Sequence, residues 1–252
     1  MHAPALSRTE RLLGSAALQQ LWGSRVAVFG IGGVGSFTAE ALARAGIGHL
    51  TLIDADKVCV SNINRQLIAL HSTVGRLKVD VMTERVRDIS PATEVTAHPI
   101  FYSRDTADAI DLRAFDYVAD AIDTVDAKVE LIVRAQQAGV PIISCMGAGN
   151  KLDPTRFEVA DLSKTSVCPL CKVMRRRLKE RGVETVKVVY SREPAVTPAA
   201  DAGDDGSLLP QRRQSLGSVS FVPSVAGLIL AGEIVKGLTR AAAPNTLRKD
   251  QP

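Results

Sequence analysis

FGIGGVGSFTAEALARAGIGHLTLIDADKVCVSNINRQ, residues 29–66, is the stretch from which the fold of this chain is read. RVAVFG (Arg25 to Gly30) is an apolar, β-favouring run that stops on a glycine. VGSFTAEALARAG after it has helical composition, with apolar residues at Phe37, Ala41, Leu42 and Ala45. A glycine loop between a strand and a helix is the context in which such a loop holds phosphate. Gly30 permits a tight turn. Gly32 and Gly33 let the backbone approach an anion, whose charge the helix N-terminus favours. Gly35 lets helix and strand pack closely. The loop by itself names no particular nucleotide.

The next strand, HLTLID, ends on Asp54, near the ~20-residue distance at which dinucleotide-binding folds place a ribose-binding acid. At this point NAD and ATP both remain open. SNINRQ (Ser61 to Gln66) tips the balance. Asn62, Arg65 and Gln66 crowd polar groups just past the second strand, in the region where open α/β sheets bind ligands. Arg65 offers five donors in a fixed fork suited to phosphate. With Asp54 and Asp56 this is equipment for breaking a triphosphate, which hydride transfer does not need.

GIGGVGS, LIDADKV, SNINRQ, VGRLKVD and DAIDTVDAK together resemble the adenylation domain of the ubiquitin-activating-like enzymes. These include the sulfur-carrier adenylyltransferases of thiamine and molybdopterin synthesis. RTERLLG near the start and GAGNKLDPTRFEVADLSKT at Gly147 to Thr165 make the chain most similar, within that superfamily, to the tRNA threonylcarbamoyladenosine dehydratases. The resemblance implies ATP and Mg2+ as cofactors, with tRNA carrying threonylcarbamoyladenosine as substrate. It also implies a homodimer, and it admits a sulfur-transfer accessory protein. By the same resemblance Asp54 binds the ribose and Asp56 sits near the phosphates or the metal. Asn62, Arg65 and Gln66 contact the triphosphate, Lys78 reaches the phosphates, and Asp123 holds magnesium. Arg11 resembles the arginine that a partner subunit inserts. The alternative that the resemblance leaves is activation of the C-terminus of a ubiquitin-like sulfur carrier.

The residues carry physical readings of their own. Lys78 opens the amphipathic KVDVMTERVRDI, where the dipole disfavours a cation, so an anionic ligand is one use for it. Asp123 follows the apolar YVADAI and is expected to end a strand on the same sheet edge as Gly30 and Asp54. A hard oxygen ligand there suits magnesium, and N-capping of the helix DAKVELIVRAQQ is an equal claim on the same side chain. Of 4 cysteines, only Cys168 and Cys171 form a C-x-x-C pair. Structural zinc uses four ligands from paired motifs, which argues against zinc and against the sulfur-carrier alternative. CPLC reads as a helix start, with a redox pair as the other option. No cysteine follows Tyr190, so no thioester site lies there.

The net charge of +4 is mild, but KVMRRRLKERG (Lys172 to Gly182) gathers cations on one helix, and QRR (Gln211 to Arg213) adds more. Such clusters attract a phosphate backbone. Aromatic residues at 4% leave no stacking platform for single strands, so backbone charge should dominate any RNA contact. At 252 residues and 46% hydrophobic the chain suits one adenylation domain over 1–252. Few, unpaired cysteines fit a reducing, cytoplasmic setting. VSFVPSVAGLILAGEIVKGL is interrupted by Pro223 and Glu233 and reads as a buried C-terminal helix rather than a span. RVAVFG, HLTLID, EVTAHP, YVADAI and VPIISC predict parallel strands, with helices beginning near Val34, Lys78, Arg104 and Val125. FEVADL and VKVVYS predict added strands. The expected class is α/β, a Rossmann-like, mostly parallel sheet with helices on both faces, extended by strands in the second half. Residues 191–218, rich in Pro, Ser, Gly and Asp, predict a mobile crossover loop.

Overall fold

The computed structural model describes residues 4–197 and 216–240. The glycine loop lies where the strand and helix composition put it. Strand β1 (Arg25–Phe29) precedes it, and helix α3 (Gly35–Ala45) follows. Two helices, α1 (Ser7–Leu13) and α2 (Ser15–Gly23), come before β1. The chain continues through β2 (His49–Ile53), α4 (Lys78–Ile89), β3 (Glu94–His98), β4 (Tyr117–Asp120), α5 (Val125–Gln137) and β5 (Ile142–Cys145). It closes with β6 (Phe157–Asp161), α6 (Pro169–Lys179), β7 (Lys187–Ser191) and α7 (Phe221–Thr239). Among the described residues, seven strands form one sheet in the order β3-β2-β1-β4-β5-β7-β6, parallel except for the antiparallel β6–β7 pair. The two strands of the second half extend the sheet as expected. The order reverses between β1 and β4, and at such a switch point the crevice beyond the strand ends receives ligands.

Each face of the sheet has its own core. Leu18, Leu42, Val79, Met82, Val86 and Leu230 belong to the side covered by α2, α3, α4 and α7; Leu131, Ile132, Met174 and Leu178 belong to the side covered by α5 and α6. Alternation along the strands feeds both, Val26 and Val28 facing the first core and Ala27 and Phe29 the second. Helix α3 is covered on more than one side, because α7 crosses it closely. A Cβ on Gly227 would overlap the Val34 carbonyl oxygen, and Thr38 Oγ1 donates to the Gly227 carbonyl at 3.1 Å.

Helix α7 has the length and composition of a membrane span, with a mean hydropathy of 1.6, but it is a core helix here. Val222, Ala226, Leu230 and Ile234 are wholly buried against α3, α2 and the sheet. Glu233 interrupts its apolar run for a reason. The carboxylate is 2.6 Å from Lys187 Nζ on β7 and 2.8 Å from Lys236 Nζ, so it fastens the helix to the sheet. Burial pushes this carboxyl up, but the two lysines outweigh burial and hold it below the usual glutamate range. Glu233→Gln should therefore lower stability at neutral pH by about 2 kcal/mol. A lowered carboxyl stabilises the fold above its unfolded value and loses that contribution as pH falls through the folded one. Denaturant titrations of both proteins should converge in acid, and a gap that persisted there would refute the assignment.

The helix expected near Arg104 does not form. The segment makes two short 3-10 turns, Ala107–Ala109 and Leu112–Ala114. Its Ser, Thr and Asp side chains bond locally instead: Thr106 Oγ1 accepts from Ser103 N–H at 2.9 Å, and Asp111 accepts from Arg113 N–H at 3.1 Å. Of the expected crossover loop, residues 198–215 lie outside the described residues, and with them Gln211 to Arg213.

Candidate active site

The glycine loop is built by close approach. Gly30 has φ +86°, and a Cβ there would sit 2.6 Å from the Ala121 carbonyl oxygen, across the β1–β4 switch point. A Cβ on Gly35 would overlap the Gly30 carbonyl oxygen. Gly32 is open, its nearest side-chain neighbour being Gln66 Nε2 at 3.8 Å, and Gly33 faces Arg65 Cγ at 3.5 Å and Pro223. The loop is thus held tightly at both ends and stays bare where a ligand would pass.

Asp54 clamps the loop from the end of β2. Its Oδ2 accepts from Ile31 N–H at 2.6 Å and its Oδ1 from Asp56 N–H at 2.8 Å. Burial pushes its carboxyl up, partly offset by Lys78 and by those backbone donors. Lys78, 5% exposed, reaches Asp56 Oδ2 at 2.8 Å and lies 4.0 Å from Asp54 Oδ2. Its helix start is therefore stabilised by two carboxylates.

SNINRQ is held beside the glycine loop through the next residue, Leu67, whose N–H donates at 3.3 Å to the Ser36 hydroxyl, which in turn donates to the Gly32 carbonyl at 2.6 Å. Arg65 donates to the Ser61 carbonyl at 2.8 Å and to Asn64 Oδ1 at 2.9 Å. Asn62 accepts from Cys59 N–H at 3.1 Å, closing a 3-10 turn over Val60–Asn62, so part of its capacity is structural. Asn64, which the sequence reading passed over, donates to the Ser218 carbonyl at 2.9 Å. Gln66 is buried with its Oε1 unpaired. A buried amide with an unmet end, beside a bare glycine, fits a site shaped for a polar ligand.

Asp123 is exposed, three residues past the end of β4, so it does not end a strand as expected. The N-cap position of α5 is Thr124, the next residue. Thr124 Oγ1 is itself buried and unpaired at this rim. The loop carrying both is fixed from below by a network invisible in sequence. Lys128 and Asp120 are fully buried with Nζ and Oδ2 3.0 Å apart. Ser144 Oγ donates to Asp120 Oδ2 at 2.5 Å, and Lys128 donates to the Ile122 carbonyl at 3.0 Å. Arg11 stands apart from this group of residues, exposed on α1. Gly30 to Gly35, Asp54, Asp56, Lys78, Asn62, Arg65 and Gln66 form one contiguous rim, and Asp123 stands in the loop after β4, the strand beside β1.

The family model of the ThiF family matches residues 6–250. The chain belongs to the ThiF family. Among its relatives, the tRNA threonylcarbamoyladenosine dehydratase of Bacillus subtilis is 45% identical over 239 residues, covering 93% of this chain and 94% of the relative. In the solved structures, the Escherichia coli tRNA N6-threonylcarbamoyladenosine dehydratase in complex with AMP superposes with a TM-score of 0.83 at 38% identity, covering 93% of this chain and 94% of that one. The same enzyme in complex with ATP gives a TM-score of 0.83 at 36% identity, covering 97% and 96%. The ThiF-family chain thus shares its sheet, and nearly its full length, with enzymes crystallised with both ATP and AMP.

Proposed function

We propose that this chain is an ATP-dependent dehydratase that cyclises threonylcarbamoyladenosine in tRNA through an acyl adenylate. The observation that carries the reading is the rim itself. A bare glycine loop, a ribose-type acid at Asp54 and a phosphate-type fork at Arg65 converge on one switch point, in a chain 45% identical to a dehydratase over 93% of its length.

The chemistry follows from the substrate. The threonylcarbamoyl carboxylate attacks the α-phosphorus of ATP, and pyrophosphate leaves. The carbamoyl nitrogen then attacks the adenylated carbonyl, a ring closes, AMP departs and the nitrogen loses its proton. Positioning and charge neutralisation supply most of the catalysis in such transfers. Asp54 would receive the ribose hydroxyls. Gly32, Gly33 and the start of α3 would face the phosphates, and Arg65, Asn62 and Gln66 would hold them. Lys78 would exchange part of its bond to Asp56 for a phosphate oxygen. Asp123 would hold Mg2+, which neutralises the leaving pyrophosphate. A homodimer would let Arg11 act on the partner's site, a reading supported by its exposure beside Leu12, itself 72% exposed. Lys172, Arg176 and Lys179 lie one turn apart on the exposed face of α6 and suit a tRNA backbone.

Incubation with ATP and tRNA bearing threonylcarbamoyladenosine, followed by nucleoside mass spectrometry, should show loss of one water together with release of AMP and pyrophosphate. ATP turnover with the nucleoside unchanged would overturn the reading.

A further inference from the structure

The C-x-x-C pair plays no part in the chemistry above, yet its surroundings are organised. Cys168 is the N-cap of α6, and its Sγ accepts from Cys171 N–H at 3.4 Å. The Cys168 thiol is held below its ordinary value, first by the Cys171 thiol and then by the backbone N–H groups of Cys171, Gly147 and Leu170. N-cap and N3 positions of a helix place their Cα atoms about 5 Å apart, inside the range a disulfide spans. The chain is held in an unusual way just before the pair. Val167, a β-branched residue, has φ +64°, and Cys168 N–H donates to the Ser166 carbonyl at 2.6 Å across it. A β-branched residue in left-handed backbone is strained, and such strain clusters where function requires a fixed geometry. Val167 is 56% exposed, next to Cys168 at 4%.

We propose that Cys168 and Cys171 are a peroxide-oxidisable dithiol, with Cys168 the attacking sulfur and Cys171 the resolving one. The Cys168 thiolate attacks a hydroperoxide oxygen, the O–O bond breaks, and a sulfenic acid and one water (or alcohol) result. The Cys171 sulfur then displaces hydroxide from Cys168, leaving as a second water with the remaining thiol proton. In sum two thiols and one hydroperoxide give a disulfide and two hydroxyl products, sulfur being oxidised and the peroxide oxygens reduced.

The order of the two sulfurs follows from their partners. The Cys171 thiol and the three backbone donors pull the Cys168 thiol below its ordinary value, and the same shared proton pushes Cys171 up. A thiolate at a helix start is the reactive form. Cys145, buried on β5, is the contrast: burial pushes its thiol up to about 12. Cys59 is exposed, and its sulfur faces the Lys57 carbonyl rather than a second thiol. Zinc is the competing use for such a pair, but among the described residues no group of three or more His, Cys, Asp or Glu could hold a metal. Leu170, between the two cysteines, packs on Gly147 two residues past β5, 3.8 Å from where a Cβ would stand.

The test uses the reduced full-length protein and hydrogen peroxide in slight excess, followed by peptide mass mapping. The expected product is loss of two hydrogens in the peptide spanning both cysteines, reversed by dithiothreitol. Cys171→Ser should instead accumulate a sulfenic acid at Cys168 that dimedone traps. Iodoacetamide should alkylate Cys168 of the untreated wild type roughly tenfold or more faster than Cys145. The proposal fails if the pair stays reduced while Cys59 oxidises, if Cys168 proceeds to sulfinic acid with Cys171 present, or if the isolated protein carries stoichiometric zinc on the pair. Mapping the wild type alone decides the main point, whatever the variant does to folding.

Discussion

Arg65→Ala should lower the rate of tRNA-dependent pyrophosphate release by roughly a thousandfold while leaving the fold intact. The size comes from the task. An arginine fork on a transferring phosphate neutralises charge that grows in the transition state, and losing one such donor set typically removes about 10²–10⁵ in rate. The selectivity comes from the structure. Arg65 is half-exposed and, among the described residues, its side chain bonds only to the Ser61 carbonyl and to Asn64 Oδ1, so the folded state loses little with it. The expected shift in unfolding free energy is within about 0.5 kcal/mol. Rates from a coupled pyrophosphate assay, read beside thermal denaturation of the same preparations, separate the two effects. A variant within tenfold of wild type would place the α-phosphate elsewhere. An unstable variant would assign Arg65 to the scaffold.

Gly35→Ala should be more damaging than its single methyl suggests, and through structure first. The new Cβ would overlap the Gly30 carbonyl oxygen and stand 3.2 Å from Ala121 Cβ. Neither neighbour can yield cheaply. Gly30 is tied by its N–H to the Ile53 carbonyl at 2.8 Å, and Ala121 by its N–H to the Phe29 carbonyl at the same distance. The helix must therefore back away from β1, disturbing its contact with α7 and opening the phosphate turn. A loss on the order of 3 kcal/mol or more is expected from overpacking of this kind, with ATP affinity lost in whatever folded fraction remains. Gly32→Ala is the internal comparison, since a methyl there meets nothing nearer than 3.8 Å. It should keep stability and weaken ATP binding. Equal melting temperatures for Gly35→Ala and wild type would contradict the packing described here.

Much of this was legible because it is local. Short apolar, β-favouring runs mark the seven strands of the described residues to within a residue or two, and the glycine spacing specifies a turn that only bare backbone can make. Asp54 was legible from its distance to that turn. What the sequence hid was long-range or competitive. Asp120, Lys128 and Ser144 meet because β4 and β5 align Asp120 with Ser144 and α5 returns Lys128 underneath, a register no local pattern reports. The carboxylate partners of Lys78 come from the β2 end, Asp54 and Asp56, more than twenty residues upstream, a pairing no local pattern reports. The mostly apolar YVADAI predicts a strand running up to Asp123, but β4 stops at Asp120, whose carboxylate turns into the buried network. Near Arg104, helical composition lost to Ser, Thr and Asp side chains that bond their own backbone.

The central claim is that this rim joins a substrate carboxylate to the α-phosphorus of ATP. Threonylcarbamoyladenosine-bearing tRNA labelled with ¹⁸O in that carboxylate tests it in one turnover. The account predicts one labelled oxygen in the phosphate of the released AMP, carried there when the ring closes. Label in inorganic phosphate, with ADP as the nucleotide product, would mean transfer of the γ-phosphoryl group and would contradict it.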